Sequence, residues 1–243
     1  MDRVTRKELK GDKFAEEVFD IFDWASEHKA EVTRYGSIIL AVAVIAAGVF
    51  FYNRSQADAR QQALADALRT EDGVVGGDAS QTPAQLHYAT QDEKDKAVIK
   101  AYTEVANKYS GSTEGSIAAI ALANAAANKG DMAEAEKRYR EVADHGPKVY
   151  ASMARLALAR VLVSENKTAE AEKILKDLQN NPTLSVSKDD ATLALAEAMA
   201  KTDPAGALKI LDPLRTSPHQ PVSRVAVTDY GLIDQARVVN NKK

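Results

Sequence analysis

From Tyr35 to Asn53 the chain runs for 19 residues without a charge. Ile38, Ile39, Leu40, Val42, Val44, Ile45, Val49, Phe50 and Phe51 point to every side of a helix drawn through them. A buried soluble helix keeps a polar stripe, and this one has none. At ~1.5 Å per residue the run reaches almost across a hydrocarbon layer of ~30 Å. Tyr35 and Tyr52, with Arg34 and Arg54 just outside them, stand where aromatic and basic residues meet a membrane interface. The 34 residues ahead of the run and the bulky Phe-Phe-Tyr at its exit differ from a cleaved signal peptide. The pattern predicts a retained single-span anchor comprising Tyr35, Ile38, Ile39, Leu40, Val42, Val44, Ile45, Val49, Phe50, Phe51 and Tyr52.

The remaining hydrophobic pattern is amphipathic and helical. In the N-terminal tail (1–34) Phe14, Val18, Ile21, Phe22 and Ala25 recur at helical spacing against an acidic side, forming an amphipathic helix for lipid or for protein. Residues 54–91 read as a juxtamembrane helix with Ala63, Leu64, Ala67 and Leu68 on one side, followed by a flexible loop around Gly73, Gly76, Gly77 and Pro83. From Asp92 the helical period returns, with Ala97, Val98, Ala101, Tyr102, Val105, Ala106 and Tyr109 on one face.

The chain then repeats itself. ALANAAANKGDMAEAEKRYREV begins at Ala121, ALARVLVSENKTAEAEKILKDL at Ala157, and the eroded ALAEAMAKTDPAGALKILDPL at Ala194. Ala135, Ala171 and Ala207 fall 36 residues apart, followed by Tyr139, Leu175 and Leu211. Each copy reads as two antiparallel helices in which Ala123, Ala159 or Ala196 faces the second-helix alanine. A lone hairpin cannot bury that face, so the units must stack. Residues 92–218 form this repeat domain, and 219–243 a C-terminal cap or tail, in which Val222, Val225, Ala226, Tyr230 and Ile233 approximate one face and Gly231 favours a break.

The repeats resemble the tetratricopeptide repeat family. Leu122, Ala123, Gly130, Ala135, Tyr139 and Pro147 stand where that family places its first-helix pair, turn glycine, small residue, aromatic and terminal proline. The fold class expected is therefore all-α: one transmembrane helix, then an α-solenoid of about three divergent hairpins. Repeat packing falls on Leu122, Ala123, Gly130, Ala135, Tyr139, Ala159, Ala171, Leu175, Ala196, Ala207 and Leu211. Exposed first-helix residues Asn124, Asn128 and Arg160 are the candidate partner contacts.

Composition narrows the chemistry. A net charge of −3 with no basic cluster gives no nucleic-acid footprint. The absence of cysteine excludes disulfides, thiolate metal sites and a lipid-modified cysteine. His28, His87, His145 and His219 show no metal-ligand spacing, and no nucleophile elbow occurs. No catalytic, cofactor or metal site is expected, and the chain reads as a non-enzyme.

The whole layout of charged tail, span, ALADAL helix (Ala63 to Leu68) and divergent repeats is similar to the YfgM-like ancillary SecYEG translocon subunit family. That resemblance implies a bacterial inner-membrane protein, tail cytoplasmic and repeats periplasmic, associated with the SecYEG translocon and periplasmic chaperones. Lys29 and Arg34 before the span are too evenly matched by Arg54, Arg60 and Arg69 after it for charge to fix the orientation. The alternative is a cell-envelope scaffold for division or wall assembly that self-associates.

Overall fold

Helix starts are written into the sequence as side chains that accept the free N–H groups of a first turn. Thr90, Ser112, Asp131, Ser187 and Asp203 each accept such a bond, and Ser187 with Asp190 completes a reciprocal capping box. The computed structural model describes residues 28–76 and 85–240. Among these, nine α-helices follow one another: α1 Lys29–Glu71, α2 Gln91–Lys108, α3 Thr113–Asn128, α4 Met132–His145, α5 Lys148–Ser164, α6 Thr168–Asn180, α7 Lys188–Met199, α8 Pro204–Leu211 and α9 Gln220–Asn240. A 3-10 turn, Asp212–Thr216, joins α8 to α9. The expected amphipathic helix around Phe14 to Ala25, and Gly77 and Pro83 of the loop, lie outside the described residues.

The chain divides into two units, Met1–Asp58 and Ala59–Lys243. In the first, α1 carries the apolar run. The eleven large side chains named for the anchor are all between 53% and 68% exposed. The helix is long and apolar enough to cross a membrane.

In the second unit, the alanines of the repeats close the hairpins. Ala123, Ala135, Ala159, Ala171, Ala196 and Ala207 are all fully buried, and each pair sits on adjacent antiparallel helices. Without branched side chains between them the backbones approach, and larger residues fill the space between hairpins. Leu122, Tyr139, Val142, Leu158, Leu175 and Leu211 are buried there. Gly130, in the turn of the α3–α4 hairpin, has φ +83°, the left-handed region that its lack of Cβ permits. Gly115 is required for a different reason: a Cβ there would lie 2.0 Å from the Tyr109 carbonyl oxygen, where α2 passes into α3.

Three hairpins, α3–α4, α5–α6 and α7–α8, match the sequence repeats, and the structure adds a fourth ahead of them. The last part of α1, from Ala59, packs against α2: Ala67 is buried with Tyr102, Val105 and Ala106, and Tyr102 donates its hydroxyl hydrogen bond to Glu71. The connection between them contains two short parallel strands, β1 Val74–Val75 and β2 His87–Tyr88, paired Val74 to His87 and Val75 to Tyr88. Leu68, placed with Ala63, Leu64 and Ala67 by periodicity, is instead exposed at the edge of the contact.

At the other end α9 covers the last hairpin with Val222, Ala226, Tyr230 and Ile233. Two expectations are corrected here. Val225 faces solvent, one step off the docking side, and α9 runs through Gly231 without a break. Glycine costs a helix about 1 kcal/mol relative to alanine, and burial of Ala226 and Ile233 on either side outweighs that.

Because the hairpins close on alanine, enlarging one should be costly. Ala159→Leu should lower stability by about 1–3 kcal/mol, whereas Ala236→Leu on the exposed side of α9 should shift it by less than about 0.5 kcal/mol. Denaturant unfolding of the two variants, followed by circular dichroism, checks the difference.

Candidate interaction surface

The hairpins present two unlike sides. Successive first helices touch each other, α3 to α5 and α5 to α7, so the stack is tightest along them. Equivalent positions therefore form rows across the first helices. Asn124, Arg160 and Glu197 follow the buried alanines by one residue, and Asn128, Ser164 and Lys201 come one turn later. All six are exposed, Lys201 lying just past the end of α7.

Between α5 and α7 these rows border a cleft of about 280 Å³. Its floor is Ala159, Val163, Leu175, Ala194 and Ala198, and its polar rim is Arg160, Ser164, Asn166, Glu197 and Lys201. Among the described residues Arg160, Glu197 and Lys201 form no ion pair. The Glu197 carboxyl is held above the ordinary carboxylate range, first by burial against the apolar floor; Arg160 pulls it the other way and Asp229 of α9 pushes it further up. Asp229 is likewise raised by burial.

The second helices behave differently. A cleft of about 310 Å³ between α4, α5 and α6 is bordered by Arg140, Asp144, Arg155, Glu170, Lys173 and Asp177. Its charges are largely spent on one another: Arg140 meets Glu170 at 3.0 Å and Arg155 meets Asp177 at 3.1 Å. Glu136 accepts from Lys167 at 2.7 Å and from Arg140 at 2.7 Å, which ties α4 to the start of the next second helix. These two cations, Lys167 foremost, hold the Glu136 carboxyl down at about 2.

The three residues singled out for partner contact do not share one environment. Arg160 lies on the rim of the first-helix cleft and Asn128 is exposed at the end of α3. Asn124 is exposed too, but its side-chain oxygen accepts the hydrogen bond of the Tyr139 hydroxyl. Tyr139 is buried, which raises its hydroxyl pKa, and a buried phenol needs such an acceptor. Asn124 therefore completes its hairpin as well as lining the surface. Tyr102 uses Glu71 in the same way, and burial, followed by the Glu71 carboxylate, pushes its pKa up. Sequence reasoning missed both acceptors, along with the repulsion between the Glu197 and Asp229 carboxylates. The available signal was the half-copy AYTEVANKY from Ala101, which aligns Tyr102 with Tyr139, since equivalent buried tyrosines require equivalent acceptors.

The site is thus a cleft with a polar rim of mixed charge over a floor of alanines, Val163 and Leu175. It suits hydrogen bonding and ion pairing to a polypeptide. Among the described residues no group of three or more His, Asp or Glu is arranged to hold a metal ion.

Two outcomes follow from these contacts. Asn124→Ala, which strands the buried Tyr139 hydroxyl, should cost about 1–3 kcal/mol; adding Tyr139→Phe should recover part of that, giving a measurable coupling in a double-mutant cycle. Glu136 has a folded pKa below its unfolded value, so its stabilisation is full above the ordinary carboxylate range of about 4.3 and disappears as pH falls through about 2. Thermal melts of Glu136→Gln should therefore show a smaller loss of Tm across that acid range than the parent chain.

Comparison with protein families supplies one match: residues 29–207 fit the tetratricopeptide repeat-like domain. Neither curated proteins nor solved structures give a match. The matched region starts at α1 and ends in α8, so it includes the hairpin that the repeats alone did not reveal. Domains of this type are typically non-catalytic modules that bind other proteins. Its alanine-closed hairpins and the span of that match together place this chain in the tetratricopeptide repeat-like domain family.

Proposed function

We propose that this protein is a membrane-anchored adaptor: α1 crosses a bilayer through residues 35–53, and the repeat domain recruits other proteins along its first-helix groove. The observation that carries the anchor is the exposure of Ile38, Ile39, Leu40, Val42, Val44, Ile45, Val49, Phe50 and Phe51. Leaving such side chains in water forfeits about 1.5–3 kcal/mol each, together as large as the whole net stability of a domain, about 5–15 kcal/mol. A bilayer removes that penalty.

The layout of tail, span and repeats supports a place in the bacterial inner membrane, with the N-terminus cytoplasmic and the repeats periplasmic. The same layout favours an accessory role at the SecYEG translocon, where the groove would meet periplasmic chaperones or emerging polypeptides. Tethering helps such a module by raising its local concentration beside its partner.

Full-length protein should stay in the membrane pellet after alkaline carbonate washing, and a Val44→Arg, Ile45→Arg double variant should move to the supernatant. Recovery of the parent chain in the supernatant would end the anchor reading. A photo-crosslinker at Arg160 in intact cells should yield adducts with translocon subunits or chaperones. Adducts solely with wall-synthesis proteins, or with a second copy, would favour an envelope scaffold instead.

A further inference from the structure

Tyr139 and Leu175 occupy one place in the repeat, and they fill it unequally. In the α3–α4 hairpin Tyr139 reaches from the second helix to the first and donates its hydroxyl hydrogen bond to Asn124, 15 residues earlier. In the α5–α6 hairpin the equivalent residues are Leu175 and Arg160, again 15 apart. Leucine lacks the far half of the ring and the hydroxyl, so Leu175 ends in the floor of the 280 Å³ cleft. A second reduction accompanies it: Ala198 of α7, also in that floor, stands where α5 has Val161. Two larger side chains give way to smaller ones at one level of the stack, and the cleft is the volume they leave.

Clefts that take up a whole small ligand run from about 300 Å³ upward, so one of this size suits a single side chain of a larger partner. The rim decides which side chain. Arg160 and Lys201 oppose a cation inside the cleft, and Glu197, with Asp229 of α9 near it, opposes an anion. Burial holds the Glu197 carboxyl above its ordinary range, and among the described residues no donor hydrogen-bonds to it. Asn166 adds a neutral amide to the rim. It stands where the preceding hairpin has Gly130 and keeps that left-handed backbone, φ +61° against +83°, so the turn is preserved while a side chain is gained. Such a site fits a neutral group with an apolar body and a hydrogen-bond donor at its tip.

We propose that this cleft receives a tyrosine side chain of the bound polypeptide, its ring over Leu175 and Ala198 and its hydroxyl donating to the Glu197 carboxylate. The protein uses both halves of that arrangement internally. Tyr102 donates to a carboxylate, that of Glu71, and Tyr139 fills the equivalent place one hairpin earlier. Arg160 on the rim adds the attraction of a guanidinium for the face of a ring. A partner's tyrosine thus completes the α5–α6 hairpin as Tyr139 completes α3–α4. The proposal rests on the reading of the first helices as the recruiting surface and adds what that surface selects.

Full-length protein with 13C-labelled leucine and valine methyl groups, held in detergent micelles, is titrated with the capped peptide Gly-Ser-Tyr-Ser-Gly and with versions carrying phenylalanine, leucine or arginine at its centre. Ring currents from the tyrosine should move the Leu175 and Val163 methyl signals saturably. Phenylalanine, lacking one hydrogen bond, should bind about two- to ten-fold more weakly, and leucine and arginine should leave both signals in place. Glu197→Ala should bring tyrosine down to the phenylalanine level. No saturable movement at Leu175 and Val163, or a stronger response to arginine, overturns the proposal on the parent chain alone. Leu175→Tyr combined with Arg160→Asn rebuilds the Tyr139–Asn124 pair in this hairpin; it should melt no lower than the parent and abolish the response at Val163, and a Tm several degrees lower counts against a tyrosine-shaped space. A photo-crosslinker at Asn128, in the same rows but outside the cleft, separates this site from the surface as a whole. Adducts in intact cells that fall several-fold in the filled variant support the tyrosine site; adducts that persist undiminished sink it and leave the recruiting surface standing. Adducts from neither chain sink both.

Discussion

The repeat domain depends on how closely two helices can approach. Six alanines, Ala123, Ala135, Ala159, Ala171, Ala196 and Ala207, are buried where the helices of each hairpin face one another. With only a methyl group on either side, the helix axes come near enough for one hairpin to act as a single slab. Everything larger is then displaced to the faces between slabs, where Leu158, Leu162, Leu175 and Leu211 are buried almost completely. A larger residue at any of the six alanines would separate the slab and misalign the faces that stack.

That constraint determines how polar groups are distributed. Aromatic second-helix residues in the earlier hairpins fill space but bring a hydroxyl into the core, and Glu71 and Asn124 supply the acceptors. In the later hairpins leucine takes the same place and no acceptor is required. The side formed by second helices satisfies its charges internally, through Glu136, Arg140, Lys167 and Glu170. The side formed by first helices leaves Arg160, Glu197 and Lys201 facing a cleft. A surface whose charges are already paired gains little from a partner, whereas unpaired charges over an apolar floor gain both ion pairs and buried area.

The first unit obeys the opposite rule. α1 between Tyr35 and Tyr52 has bulky side chains all round, and each of the large ones is more than half exposed among the described residues. The proposed bilayer provides that cover, and the repeat domain begins six residues later.

Periodicity determined much of this in advance. A charge-free run of apolar residues with no polar side predicts one long apolar helix, and alanines recurring every 36 residues require hairpins that stack. The positions of Leu122, Ala123, Ala135, Tyr139, Ala159, Ala171, Leu175, Ala196, Ala207 and Leu211 follow from that repeat, because they are set by local spacing. The first hairpin did not, since its helices are separated by a connection from Asp72 to Thr90 and one of them belongs to the same helix as the apolar run. Nor did the continuity of α9 through Gly231, the dual use of Asn124, or the bond from Tyr102 to Glu71. Each depends on a partner far away in the chain, from 15 residues for Tyr139 and Asn124 to 31 for Tyr102 and Glu71. Spacing along a helix specifies which side of it is apolar; only the packed hairpins decide which polar atom meets which, because that choice is made by distance in space.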